Sequence, residues 1–232
     1  MTKTGNNRNI LLAIETSVQG GSLALLEGGK EIDNWQGSGS VSKSEDVLDE
    51  ISKLLKKNEI KNNEIRQILV SRGPGSFTGT RIGLAIALGL KKSLDCSIRG
   101  VSVLAAMAAQ ADEKTNILAA IKIGVGQVCF QRFEIGQRQE LSEVTKPCLV
   151  ESETFIDILE NEVEASFVVN ENLHKFISVN PQTGENRVLK TGENIVLNCG
   201  ENLAITIGDR AAERFASDNV SPIYIQGARS TK

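Results

Sequence analysis

The first forty residues constrain the fold more than any other stretch. Three short runs, Asn9 to Ile14, Ser22 to Leu26 and Lys30 to Trp35, are separated by tight polar turns at Glu15-Thr16-Ser17 with Gly20-Gly21, and at Gly28-Gly29. Runs of this length bounded by glycine turns read as strands joined by hairpins. Parallel sheets seldom begin so, because parallel neighbours need crossovers of roughly a dozen residues or more. The opening is therefore a meander, and any parallel pairing must come after it.

Gly37 to Gly39 breaks the meander, and a helix is signposted next. Ser42 with Glu45 three residues on has the form of a capping box. Val47, Leu48, Ile51, Leu54 and Leu55 recur on one helical face, and Lys56 and Lys57 suit the negative end of the helix dipole. A strand at Ile68 to Ser71 then runs into Gly73-Pro74-Gly75-Ser76-Phe77-Thr78-Gly79, and from Thr80 a second helix extends to Leu94. Gly83, Ala85, Ala87 and Gly89 lie inside that helix, where each glycine costs about 1 kcal/mol against alanine. Close approach of another backbone usually offsets such a cost. A strand at Ser97 to Val101 and an alanine-rich helix at Ser102 to Gln110 end the first half.

The second half repeats the theme more weakly. Ile117 to Ile123 and Val128 to Phe133 form a strand pair, followed by a helix at about Glu153 to Leu159 capped by Ser152. Further strands are expected at Phe167 to Val169 and Ile195 to Asn198, with a helix at about Arg210 to Phe215. The polar stretch from Asn170 to Asn194 reads as loop. Two successive units of strands then helices suggest a duplicated α/β fold in 232 residues.

Composition narrows the chemistry. With 26 Lys and Arg against 29 Asp and Glu the net charge is −3, and no basic cluster stands out of the kind used to grip nucleic acid unaided. Cys96, Cys129, Cys148 and Cys199 are widely spaced and read as reduced, mostly packed thiols. The apolar run Ile10 to Ile14 is too short for a membrane span and lacks the form of a secretory signal, so a cytoplasmic protein is expected. His174 is the only histidine. A two-histidine metal site cannot be assembled from this chain, and His174 has no nucleophile signature near it; a solvated loop or surface strand is expected for it.

The strand–GPGSFTG–helix passage has two physical readings. Free amides and a helix N-terminus beside a glycine-opened space favour an anion. The same glycines equally serve a turn that packs tightly against a neighbouring backbone. Thr78 or Ser76 is placed to cap the helix, and Phe77 is too apolar for a solvated loop, so it should pack beneath the loop or into a partner. The passage is not a Walker motif, since Gly79 is followed by Thr80-Arg81, and it is not a dinucleotide fingerprint.

From Arg72 through Gly73-Pro74-Gly75-Ser76-Phe77-Thr78-Gly79-Thr80-Arg81-Ile82-Gly83-Leu84 to Ala85, the chain resembles the signature of the TsaB family, formerly called YeaZ. Leu12-Ala13-Ile14-Glu15-Thr16-Ser17 resembles that family's opening strand and turn, Gly100-Val101-Ser102-Val103-Leu104 its next strand and helix start, and Pro222-Ile223-Tyr224-Ile225 its closing strand. The resemblance is strong over Asn9 to Ala109 and thin beyond. It implies an α/β fold of the two-lobed actin and acetate-kinase-like kind (ASKHA, a duplicated RNase H-like unit) with a reduced second lobe. The expected division is a first lobe at 1–103, completed by about 204–232, and a second at 104–203.

It further implies a non-catalytic scaffold that binds and activates TsaD, which transfers a threonylcarbamoyl group to the adenosine beside the anticodon of tRNA. TsaC and TsaE are the other members of that pathway's complex, and tRNA is met only through the complex. No cofactor of the chain's own is implied, with room left for ATP or ADP at the partner interface. The expected docking surface is the helical face of Val47, Leu48, Ile51, Leu54, Leu55, Phe77, Arg81, Leu84 and Leu88, and the isolated chain should pair with itself through the same surface. Glu15, Thr16, Gly73, Gly75, Ser76, Thr78 and Gly79 are the candidates to lie near an anion or nucleotide.

The paralogue TsaD carries a His-x-x-x-His metal pair shortly after a similar loop; here the matching positions are Val103 and Met107. The chain also departs from the TsaB pattern at Ile121-Lys122-Ile123-Gly124, at Gln127-Val128-Cys129, at Lys43-Ser44-Glu45 and at Glu15, where Asp is usual. Two further readings remain beside the scaffold. One is an ATP-dependent small-molecule kinase or transferase of the same fold, using Glu15 and the Gly73 loop for phosphates, though Gly200 and Gly208 are too little for a second glycine loop. The other is a peptidase, for which neither a metal pair nor a nucleophile–base arrangement is visible.

Overall fold

The computed structural model describes residues 8–18, 20–38, 44–111, 116–123, 125–136, 141–161, 166–178, 195–199, 202–209 and 215–225. The meander forms as expected: β1 (Ile10–Glu15), β2 (Ser22–Glu27) and β3 (Lys30–Gln36) pair antiparallel in sequence. Helix α1 (Ser44–Lys57) crosses to β4 (Ile65–Ser71), which lies parallel to β1, and α2 (Phe77–Leu94) crosses to β5 (Ser97–Val101), parallel to β4. The sheet order is β3-β2-β1-β4-β5.

After α3 (Val103–Ala108), strands β6 (Asn116–Ile123), β7 (Gln127–Ile135) and β8 (Leu141–Glu143) form a second meander, with β9 (Cys148–Glu151) also paired to β7. Helices α4 (Ser152–Asn161) and α5 (Glu171–Ser178) flank β10 (Ser166–Val169), and β11 (Ile195–Asn198) completes the sheet. Its order, β8-β7-β6-β10-β11, repeats the first sheet strand for strand, with the same antiparallel and parallel pairings. The duplication expected from the alternation of strands and helices is therefore present in the topology.

The central strands are apolar on both faces because helices cover both. Ile10, Leu12 and Ile14 of β1 meet Val47, Ile51, Leu54 and Leu84 of α1 and α2, while Ala13 faces the other way, toward Ala204 and Ile207 of α6 (Leu203–Gly208). The inner face uses small residues so that α6 can approach closely: a Cβ added at Gly208 would stand 2.6 Å from Leu26 Cδ1 and 3.2 Å from Ala13 Cβ. Helix α3 packs on the second sheet through Val103, Leu104 and Met107, which meet Ile117, Ile121 and Phe133. Leu203 of α6 joins that cluster, whereas Ala106 of α3 joins the one beneath the first sheet. The outer face of the second sheet is closed by Phe155 and Leu159 of α4 and by Leu173 and Ile177 of α5. The layers thus run helix, sheet, paired short helices, sheet, helix.

Several expectations need correction. The stretch after Asn170 is not all loop: α5 forms there because Leu173 and Ile177 bury one turn apart and Asn170 caps the helix, its Oδ1 accepting from Leu173 N at 3.3 Å. His174 accordingly lies half-buried on a helix. Helix α6 was not anticipated; Asn202 caps it by accepting from Ile205 N at 3.3 Å. Helix α2 starts at Phe77, not Thr80, because Ser76 is its cap. Strands β8 and β9 are too short to show in the sequence. The Ser42–Glu45 capping box and most of the helix expected at Arg210 to Phe215 lie outside the described residues.

Candidate functional site

The GPGSFTG passage leaves the end of β4 and packs directly on the β1–β2 turn. Ser76 N donates to Ser17 O at 2.6 Å, and Thr16 Oγ1 donates to Gly79 O at 2.7 Å. Three glycines make this contact possible. A Cβ at Gly75 would lie 2.3 Å from Ser17 O, one at Gly79 2.0 Å from Thr16 O, and one at Gly83 2.3 Å from Thr16 Oγ1. Gly73 serves differently, since its φ of +86° is a conformation open to glycine and strained for other residues.

Some amides of the passage are also committed within the chain. Gly73 N donates to Ser71 Oγ at 3.1 Å and Gly79 N to Ser76 Oγ at 3.2 Å. Of the two candidate caps, Ser76 does the work and Thr78 is exposed. Close packing therefore accounts for Gly75 and Gly79.

Glu15, at the end of β1, is 1% exposed. Ser17 N donates to its Oε1 at 2.6 Å, the Ser17 hydroxyl donates to the same oxygen, and Val18 N does so at 3.1 Å. Ser17 Oγ in turn lies 3.1 Å from Ser71 Oγ. Burial dominates over these hydrogen bonds and pushes the Glu15 pKa up from 4.5 to about 6. At neutral pH the turn thus presents a buried, largely ionised carboxylate beside the loop, which weighs against a phosphate there.

Five of the nine residues expected to form the docking face are core: Val47, Ile51, Leu54, Leu55 and Leu84 are all buried against the first sheet. The periodicity that singled them out marks the inward face of each helix. What remains outside is Leu48 at 44% exposure, Phe77 at 54%, Leu88 at 45%, and Arg81. Along α2, Phe77, Arg81, Ala85 and Leu88 with Gly89 are all exposed and recur at helical spacing, giving one outward stripe. Among the described residues, a Cβ at Gly89 would meet nothing within 4 Å.

Phe77 does not pack beneath the loop. Its ring sits 5.5 Å from that of Tyr224, and the Arg81 guanidinium lies 3.6 Å above the Phe77 centroid while Arg81 Nε donates to Tyr224 Oη at 3.1 Å. No local pattern of residues places Tyr224 here; the chain returns because Ile223 N donates to Arg72 O at 2.7 Å and Arg72 Nε to Ser221 O at 2.8 Å. Val103 and Met107 both face the second-sheet core and are fully buried. Among the described residues no three His, Cys, Asp or Glu side chains come together as metal ligands would, and no helix is long and apolar enough to cross a membrane.

Two sheets of identical strand order, with short helices between them and longer ones outside, define the two-lobed actin and acetate-kinase-like class. Comparison with known proteins agrees. The family model described as TsaD, tRNA N6-adenosine threonylcarbamoyltransferase, matches residues 40–217. The chain is 30% identical over 162 residues to the tRNA threonylcarbamoyladenosine biosynthesis protein TsaB of Haemophilus influenzae, covering 66% of this chain and 68% of that protein. It is 34% identical over 148 residues to TsaB of Escherichia coli, covering 60% of this chain and 64% of that protein. Among solved structures, YeaZ from Pseudomonas aeruginosa superposes with a TM-score of 0.61 at 19% identity, over 94% of this chain and 100% of that one. The chain belongs to the TsaB family, within the wider group that the TsaD model describes.

Proposed function

We propose that this chain is the non-catalytic subunit of the machinery that forms threonylcarbamoyladenosine in tRNA, and that it binds and activates TsaD. The observation that carries the reading is the outward stripe of α2. Phe77 and Leu88 are about half exposed, with Leu48 of α1 likewise, and among the described residues nothing comes within 4 Å of the side chain that Gly89 lacks. A glycine in an exposed helical face costs about 1 kcal/mol against alanine, and a second helix packing across Ala85 and Gly89 would offset that. Family membership supports this choice of partner: the TsaB relatives are named for threonylcarbamoyladenosine biosynthesis, and the matching family model is described as TsaD.

On this reading TsaC and TsaE act in the same cytoplasmic pathway and tRNA is met through the complex, with any ATP or ADP held at the partner interface. The isolated chain pairs with itself through α2, a pairing that TsaD displaces. The experiment is co-purification with TsaD followed by a tRNA modification assay with and without this chain. Retention of TsaD and modification dependent on the chain are expected. Full modification in its absence, or turnover of a substrate by the chain alone, would refute the proposal.

A further inference from the structure

A recess opens where the N-terminal end of α2 meets the second sheet. Its walls are Ile123 at the end of β6, Leu149 of β9, and Ile223 and Ile225 of the returning segment, with Phe77 and Tyr224 at the rim. Its volume is about 160 Å³. Small-molecule pockets usually run to roughly 300–1,000 Å³, whereas an apolar cavity of about 150 Å³ accommodates one benzene ring. The recess therefore suits a single ring and is too small for a nucleotide.

The rim has the composition of an interface hot spot, two aromatic rings and an arginine in contact. Arg81 spends Nε–H on Tyr224 Oη, and among the described residues its other four N–H groups have no protein acceptor. An incoming carboxylate would complete them in the bidentate manner that guanidinium favours. Phe77 and Arg81 also begin the outward stripe that continues through Ala85 to Leu88, so whatever lies on α2 reaches the recess without a break.

We infer that the recess receives one aromatic side chain from the protein docked on α2, with a carboxylate next to that side chain paired to Arg81. This rests on the reading of α2 as a docking face. Because Ile123 and Leu149 belong to the second sheet and Phe77 to the first lobe's helix, the inserted ring touches both lobes and ties docking to their mutual position.

Two measurements test it on the full chain. In the first, methyl NMR follows titration of the Leu88→Glu chain, whose altered α2 face keeps it from pairing with itself, with N-acetyl-phenylalanine, with its amide, and with N-acetyl-leucine. The acid should shift the methyls of Ile123, Leu149, Ile223 and Ile225 with a Kd of about 1 mM. The amide should bind several-fold more weakly, a difference that Arg81→Gln erases. In the second, Leu149→Trp, which fills the recess, should lower affinity for TsaD at least about tenfold, while Leu149→Ala stays close to wild type; thermal melting confirms that both fold. Absence of any response in those methyls overturns the inference. So does Leu149→Trp binding TsaD like wild type while Leu88→Glu does not, a result that leaves docking on α2 intact. If instead Leu88→Glu binds normally, the docking face is wrong, and the inference falls with it. If Leu149→Trp disrupts only self-association, the occupant is a second copy of the chain and the inference is equally overturned.

Discussion

Glu15→Gln isolates the consequence of burying a carboxyl in the β1–β2 turn. In the folded chain the group titrates at about 6 against an ordinary 4.5. Titration at about 6 instead of 4.5 corresponds to about 2 kcal/mol over the whole transition. The sign follows from which state holds the proton more tightly. The folded state does, so the protonated group's relative stabilisation is full below pH 4.5 and is lost as pH rises through 6. Glutamine keeps the shape and an oxygen to accept from Ser17 N and Val18 N, but it has no proton to lose. Urea unfolding of wild type and variant should therefore be compared from pH 4.5 to 7.5. The stability difference, variant minus wild type, should rise by about 1.6 kcal/mol in the variant's favour across that range, or roughly 5 °C in Tm for a chain of this size. Parallel profiles would refute the reasoning. A wild type that gains on the variant above pH 6 would show that the hydrogen bonds from Ser17 and Val18 outweigh burial, the reverse of the order argued here.

Gly75→Ala and Gly79→Ala place a Cβ 2.3 and 2.0 Å from backbone oxygens of the β1–β2 turn, and each should cost about 3 kcal/mol or more in chemical denaturation. Gly89→Ala meets open space and should stabilise the isolated chain by about 1 kcal/mol while weakening TsaD binding in a pull-down. Ile51→Ala, in the core, should lose about 2–5 kcal/mol, whereas Leu48→Glu one turn away should change stability by less than about 0.5 kcal/mol and act on partner binding. Burial pushes the Cys129 and Cys199 thiols up to about 12 and Cys148 is exposed, so a thiol reagent on the native chain should modify Cys148 first, as peptide mass mapping would show.

The parts of the molecule that were legible beforehand are those fixed by local chemistry. Glycine turns at Gly20-Gly21 and Gly28-Gly29 dictated the meander, and the apolar spacing of Val47, Ile51, Leu54 and Leu55 dictated α1. The same spacing picked out core residues along with exposed ones, because one-face periodicity reports the side of a helix turned to its own sheet. The outward side is marked by weaker signs, a lone Leu48 or Leu88 and a glycine with no neighbour among the described residues, and these separate from the core only once burial is known. Likewise GPGSFTG admits both a cradle and a close-packed turn; the choice depends on where Thr16 and Ser17 sit, some sixty residues away in sequence. Tyr224 was invisible as a site residue because its contact with Phe77 and Arg81 arises from a long-range return of the chain along Arg72. Helix α5 was obscured by composition: the asparagine that suggested loop at position 170 is the residue that caps it.

The positions of Val103 and Met107 bear on how far this chain stands from a metal-dependent transferase. Both lie on α3, both are fully buried, and both pack against Ile117, Ile121 and Phe133 of the second sheet. A helix does place residues four apart on one face, so Val103→His with Met107→His would recreate the His-x-x-x-His spacing, but on a face turned into an apolar cluster. Each imidazole would bring two polar nitrogens into surroundings without partners, a cost of about 1–3 kcal/mol for every unsatisfied group. The double variant should therefore unfold several degrees lower in a thermal melt and acquire no stabilisation from added zinc. Zinc-dependent stabilisation would mean that α3 can turn its face to solvent, and the separation from the metal-binding paralogue would then be one of two side chains alone. Retained packing without metal binding would place the difference in the orientation of α3 itself, a property of the whole core.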